Sequence, residues 1–222
     1  MSPARARYYP LFADVSNRLC VVVGGGVVAQ RKVTGLLRSG AVVKVISPTV
    51  TKRLAAYARQ GAIRVVDRTF RPSDVRGAWL VCAATDDQAI NHLVFRTATR
   101  HRVFTNVVDQ PALCSFIAPA IAKRGDLVVA VSTGGTSPSL AKQVRSDLIR
   151  QLGSDYTRML RLLRSLRGIA KQQLSSYADR KRYFDRLVNG RVFVLVRAGK
   201  TEAARHEALS LLEQATDRNG TR

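Results

Sequence analysis

Acidic residues are scarce in this 222-residue chain: 15 Asp and Glu stand against 37 Lys and Arg, leaving a formal charge of +22. A surplus of that size points to anionic ligands or partners. Long apolar runs are also missing. None approaches the ~18 residues of a membrane span, and Met1–Phe12 has basic residues but no apolar stretch long enough for a signal peptide. Cysteine is sparse. Cys20, Cys82 and Cys114 are odd in number and widely spaced, which suits neither a disulfide framework nor a zinc site, so they read as buried thiols of a cytoplasmic protein. The histidines His92, His101 and His206 are scattered, without a spacing such as H-E-x-x-H, and no metal site is expected. A G-x-S-x-G elbow and a Walker P-loop are both absent, which gives little support to hydrolase and triphosphatase chemistry. What is present is 46% hydrophobic residues with 23% charged, enough to build a core and exclude wholesale disorder.

The first 110 residues alternate between short apolar runs and stretches of helical spacing. Leu19–Val23 (LCVVV) is fully apolar, as buried parallel strands are. Three glycines follow, then Val28–Arg38 at helical period. Val42–Ile46, Ile63–Val66, Trp79–Ala83 and Phe104–Val108 read as further strands, with helical stretches around Leu54–Ala58 and over Asp87–Arg100. The latter opens on Thr85-x-x-Gln88, a capping-box pattern. Strands alternating with helices imply parallel β-α-β units, hence an α/β fold with a Rossmann-like parallel sheet domain. After Asp109 the pattern changes. Gln110–Ala120 is irregular, Leu127–Val131 is a strand, and Ser132–Pro138 is a Gly/Ser/Thr loop. The remainder reads as helices over Pro138–Leu152, Asp155–Arg167, Leu174–Asn189 and Lys200–Ala215, broken at Gly153, Gly168 and Asn189-Gly190. Arg191–Arg197 (RVFVLVR) has the β-branched content of a strand and the flanks of a helix, and is read as helix. Asp217–Arg222 reads as a frayed tail.

Gly24-Gly25-Gly26-Val27-Val28-Ala29 fits G-x-G-x-x-A between a predicted strand and a predicted helix. Such glycines permit the tight turn and the approach of a pyrophosphate to backbone, Ala29 lets the helix lie close to the strand, and the helix N-terminus favours the anion. The acid that usually accepts the adenosine ribose at the end of the second strand is missing, because that stretch reads Ile46-Ser47-Pro48-Thr49. Ser47 and the backbone of Pro48 and Thr49 remain as ribose contacts. NAD versus NADP stays open, with Arg53 near enough in sequence to raise NADP. Asn106 and Asp109 sit at the carboxyl end of a predicted strand, where ligands of open α/β sheets bind; Asp109 reads as a general base, a partner for a cation, or a turn-former before Pro111. Ser132-Thr133-Gly134-Gly135-Thr136-Ser137 offers hydroxyls, N–H groups and a helix N-terminus, an anion nest or a simple capped helix, with Lys142 and Arg145 following. Arg158, Arg161, Arg164 and Arg167 form a stripe read as a solvated face.

In order and at compatible spacing, Tyr9-Pro10-Leu11-Phe12, Val22 to Lys32, Ala83-Ala84-Thr85-Asp86-Asp87, Asn106-Val107-Val108-Asp109, Ser115-Phe116-Ile117-Ala118-Pro119-Ala120 and Gly134-Gly135-Thr136-Ser137-Pro138 resemble the precorrin-2 dehydrogenase family, that of siroheme synthase N-terminal regions. The resemblance implies oxidation of precorrin-2 to sirohydrochlorin with NAD⁺ as hydride acceptor. It also implies a homodimer with an NAD-binding domain over residues 1–112, a dimerisation region over 113–152 and a small helical domain over 153–222. Some members also insert Fe2+, so iron enters only as a substrate of a further step. Matching the family's motifs assigns Asp109 as the catalytic aspartate and Gly24, Gly25, Gly26, Val27, Val28, Ser47, Pro48, Thr49, Ala84 and Thr85 as cofactor contacts. Substrate contacts are expected from Asn106, Ser115, Ser132, Gly134, Gly135, Thr136, Ser137 and Lys142. The family's phosphorylated serine falls on Thr133, which puts that modification in doubt, and the methyltransferase domain fused to some relatives is not expected before the end at Arg222.

Two other classes compete. A nucleic-acid binder is prompted by the charge, but the charge is spread through the chain and no nucleic-acid motif accompanies it. A non-catalytic NAD-sensing module would bind dinucleotide and leave Asp109 dispensable. The excess of Arg, 29 of the 37 basic residues, suits paired carboxylate recognition of a polycarboxylate such as precorrin-2.

Overall fold

The computed structural model describes residues 8–220, with side chains through residue 217. Two compact units divide the chain, the first running to Ala118 and the second starting at Pro119.

The first unit is built on five strands, β1 (Leu19–Val23), β2 (Val42–Ile46), β3 (Ile63–Val66), β4 (Leu80–Ala83) and β5 (Phe104–Val107), joined by helices α1 (Val27–Arg38), α2 (Lys52–Arg59) and α3 (Gln88–Arg100). All pairings are parallel, in the order β3-β2-β1-β4-β5. The period-two alternation of a strand sends neighbouring side chains to opposite faces. Cys20 and Val22 therefore join Val43, Val45, Leu80 and Cys82 under Ala29 and Val33 of α1 and Leu54 of α2. Val21 and Val23 join Ile46, Val81 and Ala83 under Val94 and Ala98 of α3. With both faces covered, β1 can carry no polar residue, which is why it reads LCVVV.

The cap of α3 lies two residues beyond the one its capping-box pattern implies. Its N-cap is Asp87, whose carboxylate accepts from the Ile90 N–H at 3.1 Å. Thr85 instead closes the preceding turn, its Oγ1 accepting from the Asp87 N–H at 3.1 Å. Asp is as good a cap as Thr, and here it lies where the first turn begins.

The second unit opens with an antiparallel hairpin, β6 (Ala120–Arg124) and β7 (Leu127–Val131), on which α4 (Pro138–Gln151) packs. β6 was not expected. Its sequence AIAKR carries two cations and a register that buries only Ala122 among its five residues, so no hydrophobic period announces it. α5 (Ser154–Gln173), α6 (Tyr177–Asn189), α7 (Arg191–Arg197) and α8 (Thr201–Gly220) follow. Their shared core takes Leu162, Leu166 and Ala170 from α5, Tyr183 and Leu187 from α6, Val192 and Val196 from α7, and Ala204, Ala208 and Leu212 from α8. The four-residue spacing of Val192 and Val196 makes RVFVLVR a helix despite its β-branched content.

Two expectations are corrected in this unit. α5 continues through Gly168, since Leu166 and Ala170 on either side are both fully buried and their packing outweighs the ~1 kcal/mol that glycine costs a helix. α8 continues through Asp217 to Gly220, so no fray begins at Asp217; residues 221–222 lie outside the described residues. The Tyr183 hydroxyl donates to the Ala208 carbonyl at 3.0 Å, and burial pushes its phenol up to about 12.

Candidate active site

In a doubly wound sheet the ligand crevice lies outside the carboxyl ends of the strands where the winding reverses, here between β1 and β4. A cleft of about 290 Å³ opens there, lined by Val28, Ala84, Thr85, Asn91, Val108 and Asp109 among others.

Three loops interlock at its edge. Gly24 has φ +114°, and a Cβ on it would lie 2.1 Å from the Ala84 carbonyl oxygen. A Cβ on Gly25 would lie 1.8 Å from the Thr49 carbonyl oxygen, while the Thr51 N–H donates to the Gly25 carbonyl at 3.0 Å. The loops after β1, β2 and β4 are thus packed backbone to backbone, and only glycine fits at these two positions. Gly26 differs. A Cβ there would meet open space. Gly26 is also the N-cap of α1, no side chain caps that helix, and its first turn holds no acid. First-turn N–H groups have no partner within the helix, so the backbone donors of Val27 and Val28 are left for a ligand. An open approach at Gly26 and unclaimed donors beside a positive helix end fit the pyrophosphate of a dinucleotide.

Ser47 is buried, and its hydroxyl donates to the Thr49 carbonyl at 2.7 Å. Pro48 and Thr49 are exposed. Across the cleft, Asn91 is buried and ties Thr85 in place: its amide donates to the Thr85 carbonyl at 3.0 Å and its Oδ1 accepts from the Thr85 hydroxyl at 3.2 Å. The sequence reading passed over Asn91. Its signal is an amide on the inward side of α3, beside the buried Val94 and Ala98.

Asp109 follows β5 in a turn at φ +58°, a left-handed conformation that Asp tolerates better than most residues. Its side chain is exposed, it lines the cleft, and no hydrogen bond or ion pair engages it among the described residues. Turn-former and cleft-lining carboxylate are therefore one and the same residue.

Asn106 is buried, and both it and the exposed Ser115 have their polar atoms engaged within the first unit. Asn106 Oδ1 accepts from the Lys32 ammonium at 2.8 Å, and its amide donates to the Phe116 carbonyl at 3.2 Å. Ser115 Oγ accepts from the Thr105 N–H at 2.7 Å, extending the edge of β5. Lys32, a second residue given no role from sequence, links α1 to β5 by that bond. Burial raises the Cys82 thiol to about 11 against the opposing pull of Lys32, and Cys114 is likewise raised by burial. Both stay protonated near neutral pH and outside nucleophile chemistry.

Ser132, Gly134, Gly135, Thr136, Ser137 and Lys142 belong to the second unit. There Ser137 caps α4, accepting from the Leu140 N–H at 3.2 Å, and Thr133 Oγ1 accepts from the Ser137 N–H at 3.0 Å. Ser132 Oγ accepts from the Gly134 N–H at 3.1 Å. Among the described residues, no group of three or more His, Cys, Asp or Glu is placed to hold a metal ion, and no helix is long and apolar enough to cross a membrane.

Three family models match the chain in succession: "Putative NAD(P)-binding" over residues 11–120, "Sirohaem biosynthesis protein central" over 124–151 and "Sirohaem synthase dimerisation region" over 155–212. Siroheme synthase 1 of Serratia proteamaculans is 40% identical over 207 residues, covering 93% of this chain and 44% of that protein. Siroheme synthase of Methylobacillus flagellatus is 39% identical over 203 residues, covering 91% of this chain and 44% of that protein. The chain thus spans less than half the length of these curated relatives. A solved structure of SirC, precorrin-2 dehydrogenase, superposes with a TM-score of 0.77 at 25% identity, covering 93% of this chain and 100% of that one.

Proposed function

The chain belongs to the siroheme synthase family, and from that premise we propose that it is an NAD-dependent dehydrogenase that oxidises precorrin-2 to sirohydrochlorin. NAD⁺, when bound, supplies the acceptor for the hydride. The glycine loop holds the dinucleotide by its backbone, with the N–H groups of Val27 and Val28 on the pyrophosphate, Ala84 and Thr85 along the cleft, and the Ser47–Thr49 loop at the ribose. Removing a hydride and a proton from the reduced macrocycle requires a base. Asp86 and Asp109 both line the cleft without a hydrogen-bond or ion-pair partner among the described residues, and Asp109, which ends the Asn106–Asp109 stretch after β5, is the one that the family's motif assigns to the chemistry. That observation carries the reading. Asn106 and Ser115, engaged within the first unit, hold the segment that presents Asp109.

In the second unit, Ser132, Gly134, Gly135, Thr136, Ser137 and Lys142 form an anion-binding loop that we assign to substrate carboxylates. Homodimerisation is part of the proposal, through residues 113–152 together with the segment 155–212 that the family's dimerisation model matches. It is supported by the exposure of Ile121 and Leu140, 55% and 54%, on a two-stranded hairpin and single helix too thin to bury their own apolar side chains.

Anaerobic incubation of the purified chain with precorrin-2 and NAD⁺ tests the activity. The absorption spectrum of sirohydrochlorin is expected to grow in with NADH. Binding of NAD⁺ without turnover would leave a dinucleotide-sensing module instead. Adding Fe2+ to the same cuvette reads whether iron insertion follows.

A further inference from the structure

Asp109 reaches the cleft on a tight turn, and its side chain has no partner among the described residues, so backbone alone sets where its carboxylate stands. One side of the turn is tied to β4, where the Val108 N–H donates to the Ala83 carbonyl at 3.0 Å. The turn itself is closed by a long backbone bond, from the Gln110 N–H to the Val107 carbonyl at 3.3 Å. Its other side rests on a thiol. Cys114 Sγ accepts from the Val107 N–H at 3.2 Å, and its S–H reaches the carbonyls of Val107 at 3.2 Å and Gln110 at 3.3 Å. The residues flanking Val108-Asp109 on either side therefore meet one sulfur atom.

Several bonds fix the thiol in that place. β5 is an edge strand, and the N–H groups on its outer side need partners. Thr105 finds one in Ser115 Oγ at 2.7 Å, and the Ser115 N–H returns to the Thr105 carbonyl at 2.8 Å. Val107, two residues further along the same edge, takes Cys114. Asn106 Nδ2 lies 3.6 Å from the same sulfur, and Asn106 Oδ1 is held by the Lys32 ammonium at 2.8 Å. Burial keeps Cys114 a thiol near neutral pH, so it donates and accepts at once. An apolar side chain of similar size would fill the space and make none of these bonds.

We infer that Cys114 is a positioning residue for the base: its thiol holds the turn from which Asp109 presents its carboxylate, and it does no chemistry of its own. The inference rests on Asp109 being the base of the proposed dehydrogenation. A base must lie within hydrogen-bond reach of the proton it takes, and a displacement of about 1 Å can cost about a hundredfold in rate. Loosening this turn lowers turnover while the crowded glycines of the dinucleotide loop keep their own contacts, with the carbonyls of Ala84 and Thr49.

Cys114→Ala and Cys114→Val both remove the bonds, and the extended backbone at this position, φ −117° and ψ 128°, suits a β-branched residue. Cys114→Ser restores a donor and an acceptor. In anaerobic assays with precorrin-2 and NAD⁺, the first two are expected to form sirohydrochlorin about tenfold or more slowly. Their dissociation constants for NAD⁺, read by calorimetry, should stay within about threefold of the unsubstituted chain, and Cys114→Ser should recover its rate to within about threefold. Two removals are used, so a folding defect in one does not decide the outcome. In an Asp109→Asn background, Cys114→Val is expected to slow the residual reaction by less than about twofold, because the group it positions is already gone. Equal slowing in both backgrounds, Cys114→Ser as slow as Cys114→Ala, or unaltered turnover in Cys114→Ala and Cys114→Val would overturn the inference and leave Asp109 as the base. Near-normal turnover of Asp109→Asn would instead overturn the reading on which it rests.

Discussion

Two glycine-rich loops in this chain join a strand to a helix, and they use glycine for opposite reasons. At Gly24–Gly26 the first two glycines are demanded by crowding, with carbonyl oxygens of neighbouring loops 2.1 and 1.8 Å from where a Cβ would stand. At Gly134 and Gly135 nothing lies within 4 Å of a Cβ, and the demand is conformational, φ +64° and +87°. The helix starts differ in the same sense. α4 is capped by the Ser137 hydroxyl, while α1 has no side-chain cap. Similar composition therefore yields one loop whose helix is capped by its own serine and another whose helix start is left uncapped for a dinucleotide.

Substitutions can break that contrast, the severest first. Gly25→Ala forces a methyl into the Thr49 carbonyl, so the first unit should lose about 3 kcal/mol in denaturant unfolding, and NAD⁺ binding should disappear with the displaced loop. An unaltered midpoint would show that the three loops are not interlocked. Next in size is Asp74, which sits behind the β3 edge rather than in the loop. Its buried carboxylate takes Arg68 at 2.8 and 2.9 Å and the Arg71 N–H at 2.8 Å. Burial pushes its pKa upward, but the hydrogen bonds and the charges of Arg68 and Lys44 outweigh that and hold it below the usual carboxylate value. A depressed folded value stabilises above the unfolded pKa of about 3.9 and is lost as pH falls through the folded value. The first unit should therefore weaken below about pH 4, and Asp74→Ala should remove that acid transition at a cost of ~2 kcal/mol at neutral pH.

The smallest changes in stability sharpen the contrast most. Gly135→Ala should cost about 1 kcal/mol, the strain of a left-handed alanine, and leave NAD⁺ affinity alone. Gly26→Ala has an ordinary φ of −76° and open space around it. Its effect on stability should stay within about 0.5 kcal/mol, yet NAD⁺ should bind about tenfold or more weakly because the new methyl stands where the pyrophosphate approaches. Equal behaviour of the two variants in melts and titrations would erase the distinction between the loops.

Much of the first unit was legible because its strands are buried on both faces, so LCVVV and LVCA admit few other readings. The glycine loop was legible for the same reason that it is crowded: only glycine fits, and the spacing records it. Side-chain direction was not. Ser47, Asn106 and Ser115 stand in the right stretches, but each spends its polar atoms on backbone or on Lys32, and sequence spacing carries no information about that choice. The second unit was read less well. β6 hides behind Lys123 and Arg124, and Gly168 reads as a break until the buried neighbours Leu166 and Ala170 are placed.

The central claim is that the cleft holds the dinucleotide while Asp109 handles the proton. Asp109→Asn tests it most directly, since asparagine tolerates the left-handed φ of +58° and removes only the base. NAD⁺ affinity should change by less than about threefold, while the rate of sirohydrochlorin formation should fall by about a hundredfold or more. Near-normal turnover with NAD⁺ still bound would contradict the account.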